Sequence, residues 1–119
     1  MTSCLSINMK VKRYTIRSKT TIKDLLKCGA IEDKDTLYFD KYVEVKNSDI
    51  RIHLTFTQNL NEWNDIDGVF VVDTDAGQLY KPFYRCRDNG DKPTSEAVIN
   101  MIAEYNAFMD TLSFLKTKR

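Results

Sequence analysis

The last quarter of the chain limits the possible folds more than any other stretch. Pro93-Thr94-Ser95-Glu96 opens an amphipathic helix after a long run of sequence that reads as strands and turns. Val98, Met101, Ile102, Tyr105, Phe108, Met109, Leu112 and Leu115 then recur at helical spacing, a stripe wide enough to lie across a sheet. Lys116, Lys118 and Arg119 follow, where cations complement the helix dipole. The expected fold is therefore α+β: a mainly antiparallel sheet of four or five strands, a short N-terminal helix and one long C-terminal amphipathic helix. A chain of 119 residues with 42% apolar content suits one domain spanning 1–119, with 1–8 expected to form a flexible arm.

The strands are read from alternation. Ile7, Met9 and Val11 share one parity and Tyr14 and Ile16 the other, so a bulge is expected near Lys12 or Arg13. Thr21 stands at a helix N-cap with Asp24 three residues on and Gly29 past the end, which predicts a short helix over 22–28. Leu37, Phe39, Tyr42, Val43 and Val45 read as a strand, Asn47-Ser48-Asp49 as a turn, and Ile50, Ile52, Leu54 and Phe56 as the returning strand with one buried face. Residues 57–67 are polar and read as a loop. A second hairpin is expected from 69–72 and 78–84 around Asp73-Thr74-Asp75-Ala76-Gly77, with Pro82 on an edge or at a bulge.

Few kinds of chemistry fit the residue inventory. Cys4, Cys28 and Cys86 are odd in number and never form a C-x-x-C pair, which argues against a disulfide framework and a zinc site and for reduced thiols inside a cell. No run of apolar residues approaches a membrane span. His53, the single histidine, falls on the polar face of its strand with no nucleophile and orienting group beside it. Asp65, Asp67, Asp73 and Asp75 lack the spacing of a calcium loop and suit turns. No catalytic residue, metal or cofactor is expected. The one enzymatic pattern is Tyr42-Val43-Glu44-Val45-Lys46, which resembles the E-x-K strand of the PD-(D/E)-x-K nucleases. That resemblance implies a metal-dependent nuclease with Glu44 and Lys46 on one strand face and Asp33, Asp35 or Asp40 as the upstream acid.

Charge is unevenly distributed. Residues 10–27 carry seven basic side chains against the single acid Asp24, whereas 28–80 carry eleven acids against four bases, so the net charge of +1 conceals two opposed regions. Arg13, Arg17, Lys19, Lys23 and Lys27, with Tyr14 among them, are candidate contacts to a phosphate backbone. Trp63, framed by Glu62, Asp65 and Asp67, is the candidate anchor for a protein partner. The helix stripe offers a third possibility, a homodimer seam.

The segment Thr21-Ile22-Lys23-Asp24-Leu25-Leu26-Lys27-Cys28-Gly29-Ala30-Ile31, followed by Asp35-Thr36-Leu37-Tyr38-Phe39, resembles the opening of the RAMA (restriction-enzyme adenine-methylase-associated) domain. Val71-Val72-Asp73 through Gly77-Gln78-Leu79 is similar to its strand, turn and strand, and Pro93-Thr94-Ser95-Glu96-Ala97 to its helix start. On this alignment 42–64 is an insertion, and the family's Asn-Gly-Trp element has no counterpart. The resemblance implies a non-enzymatic accessory module close to DNA or chromatin. Size, polarised charge and lack of a catalytic set point to a small binding module, a protein–protein adaptor or inhibitor subunit acting on a DNA-associated complex. Direct DNA contact through the basic stretch is the alternative.

Overall fold

The computed structural model describes residues 9–118; the expected arm 1–8, with Cys4 and Ile7, and the terminal Arg119 lie outside them. The architecture is α+β, with a five-stranded antiparallel sheet, a separate two-stranded pair and three helices. In chain order the elements are β1 (Tyr14–Ile16), α1 (Ile22–Lys27), β2 (Ile31–Asp33), β3 (Thr36–Val45), β4 (Ser48–Thr57), a 3-10 turn (Leu60–Glu62), β5 (Val69–Asp73), β6 (Gln78–Leu79), α2 (Lys81–Asn89), α3 (Glu96–Thr111) and β7 (Leu115–Thr117).

Helix α1 forms where its cap predicts. The Asp24 amide donates to Thr21 Oγ1, and the Thr21 amide donates back to Asp24 Oδ2 at 2.8 Å. The β3–β4 hairpin turns through two residues, Lys46 and Asn47, both at positive φ (47° and 65°), so the reversal precedes the expected Asn47-Ser48-Asp49. Both central residues of a type I′ turn are left-handed, and its twist matches the flanking strands. Alternation then fixes the register: Leu37, Phe39, Val43 and Val45 of β3, Ile50, Ile52, Leu54 and Phe56 of β4, and Val69 and Val71 of β5 all bury on one face.

Helix α3 covers that face with Val98, Met101, Ile102, Tyr105 and Met109. Its entry follows the sequence: Ser95 is the N-cap and accepts from the Val98 amide. Its exit does not. The helix ends at Thr111, and Phe114 turns inward to stack on Phe39 (centroids 5.8 Å) and meet Phe56 edge-on at 5.6 Å. Leu115 then enters β7 opposite Ile16. Lys116 and Lys118 therefore lie beyond the helix and cannot serve its dipole. Among the described residues the chain itself covers most of the apolar stripe, and Phe108 alone of the stripe stays partly exposed.

Two further elements depart from expectation. Residues 9–13 form no strand; instead, buried Asn106 accepts from the Lys12 amide at 3.1 Å and donates to the Lys10 carbonyl at 2.9 Å, as a neighbouring strand would. A side chain thus takes the place of the expected bulged ladder. The second hairpin has a returning strand of only two residues, and 81–89 is helix α2 with Pro82 in its first turn and Gly90 (φ 72°) at its end. Proline is tolerated there because the first helical amides have no intrahelical acceptor. Where β6 stops, the Val71 amide donates to Tyr84 Oη at 3.0 Å, so α2 satisfies the exposed edge of β5.

Candidate binding surfaces

The basic and acidic segments meet in the structure. Asp65 is 1% exposed; Arg13 Nε donates to both of its carboxylate oxygens at 3.0 Å and Arg13 Nη2 to Oδ1 at 2.6 Å. The Tyr14 amide donates to Asp65 Oδ2 at 2.7 Å, and Arg87 Nη1 donates to the Asp65 carbonyl at 2.9 Å. The Asp65 hydrogen bonds raise the Arg13 pKa further. Tyr14 is buried too, and its hydroxyl donates to Asp110 Oδ1 at 2.7 Å. Burial and the Asp110 hydrogen bond both push that phenol's pKa up. Arg13, Tyr14 and Asp65 therefore tie the loop before β5 to β1; Tyr14 and Asp65 are buried in that contact, and Arg13, one third exposed, is engaged by Asp65. Arg87 joins this clamp with its guanidinium over the Tyr84 ring at 4.9 Å, a role that only its spacing from Phe83 and Tyr84 could have suggested.

The remaining basic residues stay exposed. Arg17, Lys19 and Lys27 line one shallow cavity of about 300 Å³ with Asp24 and Ser113, and Arg17 also borders a second with Lys116. Lys23 projects from α1 and lines neither.

Trp63 is half-buried. It stacks on Phe56 (centroids 5.0 Å, 22° between planes) and donates from Nε1 to the Thr55 carbonyl at 3.0 Å. Its indole lies against Gly68: a Cβ there would fall on Nε1 and within 2.9 Å of the Asn64 carbonyl. The rest of Trp63 borders a cavity of about 220 Å³ with Glu62 and Asp67, so three of the four acidic-loop residues named from sequence do share a surface.

The E-x-K pattern does not assemble. Glu44 is on β3, but Lys46 lies in the turn at positive φ, so the two do not share a strand face. Asp33 closes β2, Asp35 lies in the next turn, and Asp40 is occupied by Arg51 and His53. Among the described residues no three His, Cys, Asp or Glu side chains converge as a metal site would require. Cys28 and Cys86 are free thiols, and no described helix is long and apolar enough to cross a membrane.

The outer face of the five-stranded sheet is a further exposed surface. Pairing places Tyr42, Arg51, Val72 and Leu79 in one row across it, Asp40, His53 and Phe70 in the next, and Ile31, Tyr38 and Thr55 in a third. Tyr42 is 61% exposed, Ile31 51%, Leu79 48% and Phe70 40%. At the centre Asp40 Oδ1 accepts from Arg51 Nε at 2.8 Å and lies 2.7 Å from His53 Nδ1. Burial works to raise the Asp40 pKa, but the hydrogen bonds from Arg51 and His53 outweigh it and hold the carboxyl below its ordinary range. His53 lies between Tyr38 (5.5 Å) and Phe70 (6.3 Å), giving a run of rings across three strands. The signal in the sequence is parity: Tyr42 is out of phase with Phe39, Val43 and Val45, so it cannot join their buried face.

No family model, curated protein or solved structure matches this chain.

Proposed function

We propose that the protein is a non-enzymatic module that binds another protein inside the cell, an adaptor or inhibitor subunit, and that it docks through the outer face of its five-stranded sheet. The observation that supports this reading is the contiguous exposure of Ile31, Tyr42, Phe70 and Leu79 on one sheet face around the Asp40, Arg51 and His53 cluster. Large rings exposed together around a fixed polar centre are what protein interfaces use as anchors. The test is affinity capture from the native cell extract, with and without nuclease, comparing the natural chain with a Tyr42→Ser, Phe70→Ser double variant. A stoichiometric partner that survives nuclease and is lost with the double variant supports the reading. A partner retained by the variant refutes docking at this face.

A second reading is that the protein contacts DNA as a RAMA-like accessory module. It is favoured by one observation, the convergence of Arg17, Lys19 and Lys27 on a single cavity. It predicts that capture collapses with nuclease and that reversing the charge of Arg17, Lys19 and Lys27 abolishes it.

A further inference from the structure

The outer sheet face also carries a charge that narrows its occupant. Asp33, Asp40, Glu44 and Asp49 all lie on it by register, and Arg51 is its one permanent cation. Arg51 is already bound to Asp40, and among the described residues no ion pair involves Asp33, Glu44 or Asp49. The face thus presents rings together with three uncompensated carboxylates. On the assumption that this face is the docking surface, we infer that its partner is a cationic polypeptide segment rich in arginine or lysine, crossing the strands from Tyr38 and Phe70 toward Tyr42 and Glu44.

Arginine stems and guanidinium planes pack on aromatic faces while their charge is met by nearby carboxylates, and Tyr38, Tyr42 and Phe70 stand on the same face as Asp33, Glu44 and Asp49. A second copy of the chain docked face to face would bring two faces of like charge together, which disfavours a symmetric dimer here. A single-stranded nucleic acid could stack its bases on the rings, yet its phosphates would meet the same carboxylates.

The test uses the full chain, isotopically labelled and followed by amide NMR, titrated with a synthetic peptide of alternating arginine and glycine. An alternating glutamate and glycine peptide and an oligothymidylate serve as controls. The expected result is that only the arginine peptide shifts amides of β3, β4 and β5, that its affinity falls several-fold as salt rises from 50 to 300 mM, and that Glu44→Lys with Asp49→Lys weakens it at least about tenfold. Both substitutions are on exposed positions, and an unchanged spectrum elsewhere verifies the fold. Binding of the oligothymidylate at these amides, or arginine-peptide binding indifferent to the charge reversal, overturns the inference. If the arginine peptide leaves the face unmoved while the Tyr42→Ser, Phe70→Ser variant still loses its captured partner, the face binds protein but not a cationic one. If both experiments are silent, the docking surface falls as well.

Discussion

Removing Arg13 should destabilise the protein, and removing the charge of its partner should then restore part of the loss. Asp65 is 1% exposed and holds three hydrogen bonds from Arg13 and one from the Tyr14 amide. Deleting one member of a buried ion pair costs roughly 3–5 kcal/mol, because the other charge stays desolvated. The Arg13 side chain is 33% exposed, so water screens part of the interaction, and about 3 kcal/mol is the expected cost of Arg13→Met. For a domain of this size that is a fall in Tm of about 12 °C. Asp65→Asn keeps an acceptor for Tyr14 and lets Arg13 turn toward solvent, so it should cost only about 1–2 kcal/mol. The Arg13→Met, Asp65→Asn double variant leaves no unpaired carboxylate at position 65 and should be more stable than Arg13→Met alone by at least about 1 kcal/mol. Urea unfolding followed by Trp63, the single tryptophan and only two residues from Asp65, measures all four states of the cycle. Strict additivity of the two substitutions would refute the clamp.

Four further outcomes follow from particular contacts. Gly68→Ala forces its Cβ onto the Trp63 indole and should cost about 1–3 kcal/mol, with a shift in tryptophan emission of the native state. Asn106→Leu leaves the Lys12 amide and Lys10 carbonyl without their partner; a loss of about 2 kcal/mol is expected, with faster hydrogen exchange at Lys12. Ser95→Ala removes the N-cap of α3 and should cost about 1 kcal/mol in thermal unfolding. The folded Asp40 pKa is depressed, so its contribution to stability is full above the unfolded value near about pH 4 and is lost as pH falls through the folded value. Urea midpoints at pH 7 and pH 3 should therefore converge in Asp40→Asn relative to the natural chain. A residual slope is expected from Asp24, whose pKa the Thr21 backbone and side-chain hydrogen bonds also lower.

Local signals carried much of this fold because they act over a few residues. The Thr21 and Asp24 capping box, the Ser95 cap, and the alternation through β3, β4 and β5 each follow from neighbours in the chain, and all three appear in the structure. Helix α2 is where the local reading failed: the short alternation at 78–84 reads as a strand, whereas Pro82 near the helix start, Gly90 past its end and the helical spacing of Phe83, Tyr84 and Arg87 are the signals that the structure follows. The candidate site was legible only as parity at Tyr42, since which face of the sheet α3 would leave open is not written in any single strand.

What the sequence by itself determined is the set of elements with strong caps and clear periods, because backbone geometry and side-chain spacing settle those locally. The tertiary structure alone decided three things. The long helix stops at Thr111, and the chain beyond it places Phe114 in the aromatic cluster with Phe39 and Phe56 and pairs Leu115 with Ile16 of β1. Asn106 serves 9–13 in place of a ladder. Asp65 and Arg13, 52 residues apart, neutralise each other instead of serving two separate partners. Each depends on contacts between segments far apart in the chain, which no local spacing or cap encodes.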